Sequence, residues 1–136
     1  MRQRTDDGSV LLLTLGYALL ALALIFVSVS ATDLYISQKR LDAIADAAAL
    51  AGADGFTLAV DEGSARADLT NEGVREQAAA MLAALRVPVI LEAASTPDGH
   101  SARVTVATRW LPPLVSLFVP DGVRLEATGT SRTALG

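Results

Sequence analysis

The sequence predicts an α+β fold in which a long N-terminal helix, transmembrane and then amphipathic, and a second helix pack on a small antiparallel sheet of about three strands. Three observations predict it. The twenty residues Val10 to Val29 carry no charge. Helical periodicity then continues to Ala53 without a proline. Toward the C-terminus, stretches of alternating apolar and polar residues are separated by turns rich in proline, aspartate and glycine. Helices followed by a run of strands are the signature of an α+β layout.

The uncharged run is the first element. Its polar members are Thr14 and Ser28, with Tyr17 amphipathic and Gly16 the one weak helix former. At about 1.5 Å rise per residue, twenty residues span roughly 30 Å, the depth of a bilayer's hydrocarbon core. A helix satisfies its own backbone polar groups, as lipid requires. The expected organisation is a short cytoplasmic segment at 1–9, a transmembrane helix at 10–30 and an extracytoplasmic α+β domain at 31–136. Arg2 and Arg4 precede the span, while Lys39 and Arg40 follow about ten residues beyond it, so basic residues alone balance nearly evenly. The size and character of the C-terminal part favour placing it outside. The alternative is a signal peptide cleaved at Ser28-Val29-Ser30-Ala31, which would release a secreted binding module starting near Thr32. The length of the apolar run, and a helical pattern that does not stop at Ala31, weigh against cleavage.

Past the span, Leu34, Leu41, Ala45, Ala48 and Gly52 recur at spacings of three, four or seven and define one helix face. Asp33, Lys39, Arg40, Asp42 and Asp46 mark polar surfaces. One continuous helix from about Ser9 to Ala53 is expected. Its alanines have high helix propensity, and their small side chains also permit close approach of another backbone. Asp33 sits at the end of the apolar run, either facing headgroups and water or pairing with a basic group of a neighbouring subunit.

The remaining elements are shorter. Residues 54–71 read as a loop, with a short strand at Phe56 to Val60. Asn71 is placed to cap a helix starting at Glu72, whose Val74, Ala78, Met81, Leu82 and Leu85 share a face and which Pro88 ends. Val89 to Ser95 and Ser101 to Trp110 form a hairpin around the turn Thr96 to His100. Pro112-Pro113 breaks the ladder. Leu114 to Val119 reads as a short apolar helix or hydrophobic loop, and Val123 to Ser131 as a third strand.

Composition limits the function. The chain has 136 residues, 51% of them hydrophobic but only 4% aromatic, so the domain's core is modest. The net charge of −4, with no basic patch and interleaved aromatics, argues against nucleic acid as a partner. No cysteine is present. Disulfides are thereby excluded, and a structural zinc site is disfavoured. His100 is the single histidine and falls in a turn, with no acid or nucleophile elbow to complete a triad. The pairs Asp61-Glu62 and Asp42/Asp46 read as solvated charges, because two carboxylates make a poor cation cage. No glycine-rich phosphate loop occurs. The chain is therefore expected to be no enzyme and to use no cofactor, metal or small-molecule substrate.

Gly8-Ser9 opening into the apolar helix, Asp33-Leu34-Tyr35 at its end, then Leu41 and the run Ala45-Asp46-Ala47-Ala48-Ala49-Leu50-Ala51-Gly52-Ala53 resemble the TadE/TadG-like group of Tad (Flp) pilus-assembly proteins. The likeness covers about residues 8–53. It implies a pilin-like fold and a membrane-anchored minor pilin or assembly subunit in the inner membrane of a bacterium, with cell adhesion as a downstream role. Other pilus or minor pilin subunits would be its partners. The residues singled out for helix packing and for the family pattern are Gly8, Asp33, Tyr35, Leu41, Ala45, Asp46, Ala48 and Gly52. Two departures stand out. Substrates of prepilin peptidase carry glutamate at the fifth position of the mature helix, where a cut after Gly8 would put Leu13. The long TadG members carry a large metal-binding adhesion domain, for which this chain is too short.

Overall fold

A computed structural model describes residues 3–134 apart from 62, 115 and 117; for residues 3–5, 59, 61 and 64–66 it describes the backbone alone. The first element, α1, runs unbroken over Gln3–Ala53, 51 residues or about 76 Å of helix. It begins six residues before the expected Ser9, because nothing between Gln3 and Ser9 breaks a helix. Arg2, counted in the orientation argument, lies outside the described residues. Inside the apolar half the Thr14 and Ser28 hydroxyls fold back on their own helix: Thr14 Oγ1 donates to the Val10 carbonyl at 2.9 Å and Ser28 Oγ to the Leu24 carbonyl at 2.8 Å. This i−4 bonding removes the cost of placing a hydroxyl in a nonpolar medium.

The segment after α1, expected to be mostly loop, is a β-hairpin of β1 (Thr57–Asp61) and β2 (Ser64–Asp68). Gly63, at φ +90°, supplies the left-handed turn. Next comes α2 (Asn71–Leu85), capped by Thr70 rather than Asn71: the Thr70 hydroxyl accepts from the Gly73 amide. Asn71 has another task, accepting the Thr96 amide at 2.8 Å. The helix ends at Arg86, held in the left-handed region at φ 52° two residues before Pro88.

The main sheet is an antiparallel meander in the order β3 (Ile90–Ser95), β4 (Ser101–Trp110), β5 (Val123–Arg132). The β4–β5 ladder runs without interruption from Ser101↔Arg132 to Trp110↔Val123. A register shift between Leu91 and Ala93 marks β3. The residues expected to form a helix or loop at Leu114 to Val119 include 115 and 117, outside the described residues; the described ones around them form turns.

The core lies where the second half of α1 crosses β4 and β5 and meets α2. Leu41, Ala45, Ala48, Ala49 and Ala53 of α1 are buried with Val74, Ala78 and Leu82 of α2 and with Val104, Val106, Leu125 and Ala127 of the sheet. Most of these side chains are small, so elements approach backbone to backbone. At Gly129 of β5 an added Cβ would overlap the Ala45 carbonyl and the Asp46 amide of α1. At Gly52 it would come within 2.9 Å of Val74 Cγ1.

Candidate functional site: the helix stem and its collar

The two halves of α1 are different surfaces. From Val10 to Ile25 the helix is bare on every side, with Leu11, Leu15 and Leu22 all exposed, and only near its outer end does Phe26 become half-buried. It is the one described helix long and apolar enough to cross a membrane. An exposed apolar surface of that extent requires lipid or a partner around it. Beyond Ala31 one face disappears into the domain. Leu41, Ala45, Ala48 and Gly52 are buried there, taken up by α2 and the sheet of the same chain. The small side chains thus admit the chain's own elements, and the surface left for a neighbour is the opposite stripe. Tyr35, Ile36, Ala43, Asp46 and Leu50 lie on that side and are exposed, as is Gly8 at the start of the helix.

Asp33 is half-buried and has a partner within its own chain. Trp110 Nε1, at the end of β4, donates to Asp33 Oδ2 at 2.7 Å. The bond ties the sheet to the stem one turn beyond the apolar run. A hydrogen bond between residues 77 positions apart leaves no periodic signal, which is why the sequence alone does not reveal it. Gln38 adds a second tie, donating both to Asp42 Oδ1 at 3.0 Å and to the Glu126 carbonyl of β5 at 3.1 Å. Asp42 also pairs with Lys39 at 3.5 Å, so its carboxylate is committed to the helix surface. Asp46 is exposed, and Lys39 lies 5.8 Å over the Tyr35 ring.

The far end of the domain holds a second polar cluster. In the turn between β3 and β4, Asp98 accepts from the His100 amide at 3.0 Å, the Ser101 amide at 2.6 Å and the Ser101 hydroxyl at 2.8 Å. These bonds, the His100 amide first, lower the carboxyl from 3.8 to about 2. The arrangement closes a turn, and His100 enters it through its backbone. The Asp61-Glu62 side chains lie outside those described. Among the described residues no three His, Cys, Asp or Glu side chains gather to hold a metal ion.

A helix bare along one half and built into a domain along the other is the anatomy of an anchored stem. Residues 8–55 match the family model described as Putative Flp pilus-assembly TadE/G-like. The matched segment begins at Gly8 and ends two residues past α1, so it contains every residue singled out from the sequence for packing and pattern. It covers about a third of the chain; α2 and both sheets fall outside it. No curated protein and no solved structure matches the chain.

Proposed function

We infer that this chain is a membrane-anchored, minor pilin-like or assembly subunit of a Tad/Flp-type pilus, acting through helix packing and protein contacts rather than catalysis. The TadE/G-like match of the stem and its long bare apolar half support a pilus-associated membrane protein. The proposal adds the topology and the mode of contact. Residues 10–30 span the inner membrane once, residues 1–9 are cytoplasmic, and the domain of residues 31–136 stands outside.

The single observation carrying the assembly role is the exposed stripe of α1. Leu22, Val29, Ile36, Ala43 and Leu50 follow one another at seven-residue steps, and all are exposed. A seven-residue apolar repeat is the spacing at which two helices stay in contact over several turns. The stripe runs without a break from the lipid-facing half to the domain, so a neighbouring subunit's helix could follow it out of the membrane.

Photo-crosslinking residues at Ile36 and Leu50, introduced in the native bacterium, test this. Adducts identified by mass spectrometry as Tad pilus components, together with lost piliation on deletion of the chain, are expected. Unchanged piliation, with no adduct at either position, would overturn the assignment.

A further inference from the structure

The connection between β4 and β5 has no role in the assembly reading. From Leu111 to Pro120 it reads Leu-Pro-Pro-Leu-Val-Ser-Leu-Phe-Val-Pro, ten residues without a charge and with Ser116 as the only polar side chain. Three of its large apolar side chains are not folded away: Phe118 is 81% exposed, Leu114 61% and Leu111 56%. A water-facing loop gains nothing by presenting such a cluster, and clusters of this kind mark contact with a partner or with lipid.

The position of the loop decides between these. Trp110, Pro112 and Val119 share one shallow pocket of about 320 Å³ with Phe26, Val27, Ser30, Ala31 and Leu34 of α1. The loop therefore rests against the outer end of the apolar run and the turn after it. Phe26 lies three residues, or about 4.5 Å, inside Val29. With α1 crossing a bilayer over Val10 to Val29, this height is where hydrocarbon meets headgroups. Trp110, beside the loop, is the residue type enriched at that boundary, and its N–H is satisfied by Asp33.

Charge above the loop fits the same surface. Arg40 of α1 and Arg109 of β4 line a cleft of about 300 Å³ that also includes Trp110. Among the described residues neither arginine forms a salt bridge. Arg109 Nη1 donates to the Asp121 carbonyl at 3.1 Å, bracing the foot of the loop. Arg40 lies eleven residues, or about 16 Å, beyond Val29 and so above the headgroup layer; Arg109, next to Trp110, is the guanidinium placed to meet a lipid phosphate.

The geometry points to a second membrane contact: Leu111, Leu114 and Phe118 insert their side chains into the leaflet that holds the outer end of α1, with Arg109 at the phosphates above. The occupant of this surface is phospholipid. The domain is then seated on the bilayer at two points, not hung from a single stem. The inference rests on reading α1 as a membrane span.

The absence of cysteine makes a clean test. Single cysteines are introduced as Phe118→Cys, Leu114→Cys, Val60→Cys and Leu20→Cys in the full chain. Each is labelled with the environment-sensitive dye NBD and reconstituted in vesicles of phosphatidylcholine and phosphatidylglycerol. Val60 is an exposed control in β1, and Leu20 lies within the span. At 118 and 114 the expected result is blue-shifted emission. Phospholipid with a nitroxide high on the acyl chain should quench it several-fold more than aqueous iodide does. Dye at 60 should show the reverse preference, and dye at 20 should be quenched by a deep nitroxide. Iodide quenching at 118 and 114 equal to that at 60, with 20 still in lipid, overturns the loop contact and leaves the span intact. Shielding from both quenchers at 118 and 114 assigns the surface to a second protein chain and overturns it as well. Iodide access at 20 removes the span, and the loop contact with it.

Discussion

Replacing Gly129 by alanine probes the close backbone approach of β5 to α1. The added Cβ would overlap the carbonyl of Ala45 and the amide of Asp46. Both are backbone atoms inside a continuous helix, so no side chain can swing aside. Either β5 bends or α1 lifts from the sheet. Lifting α1 opens the layer in which Leu41, Ala45 and Ala48 meet Val104, Leu125 and Ala127. A radial gap of about 0.5–1 Å forfeits a quarter to a half of each contact's dispersion energy. Overpacking costs typically about 1–3 kcal/mol, and a backbone clash places this case at the upper end, about 3 kcal/mol. For a domain near 100 residues that corresponds to a fall in melting temperature of about 10–20 °C. The assay is thermal unfolding of the full chain in detergent micelles, followed by emission of Trp110. That residue is the only tryptophan, and it reports whether the sheet is docked on the stem. Thr130→Ala, exposed and one residue away, is the control. A Gly129→Ala protein melting with the wild type would refute the backbone contact between α1 and β5.

Three further outcomes follow from the geometry. Asp33→Ala and Trp110→Phe, combined in a double-mutant cycle of unfolding free energies, should show a coupling of about 1–2 kcal/mol from the 2.7 Å bond to a carboxylate; additive effects would mean the bond contributes nothing to docking. Arg86→Gly should stabilise the protein by about 0.5–1 kcal/mol, because a side chain in the left-handed region costs about 1–2 kcal/mol and glycine returns part of this as unfolded-state entropy; a lower melting point would contradict it. Asp98 has a folded pKa of about 2 against an ordinary 3.8. Its stabilising contribution is therefore complete above the ordinary value and is lost as the pH falls toward 2, since the unfolded state takes up the proton first. The stability gap between wild type and Asp98→Asn should narrow from about pH 5 to about pH 2, and a gap constant over that range would dismiss the turn's carboxylate as its source.

The legible parts of the fold are those whose information is local. The uncharged run and the spacing Leu34, Leu41, Ala45, Ala48, Gly52 identify α1, and Pro97-Asp98-Gly99 between two alternating stretches identifies the hairpin of β3 and β4. Strand β1 falls where Phe56 to Val60 is read as a strand, but β2 escapes because the apolar members of its alternation, Ala65 and Ala67, have low strand propensity. Thr70 and Asn71 are both good capping residues, and tertiary contact with Thr96 decides between them. The Ala-rich face signals close packing but not what packs there. Only the folded chain shows it occupied by α2 and β5, which moves the open surface to Ile36, Ala43 and Leu50. The collar of Asp33, Trp110 and the loop at 111–120 depends on contacts distant in sequence, beyond the reach of periodicity.

Intact-mass measurement of the chain recovered from carbonate-washed bacterial membranes tests the anchored-stem account most directly. A mass that retains Val10 to Val29, with the protein absent from the soluble fraction, is the predicted result. A soluble product whose mass begins at Thr32 would contradict it.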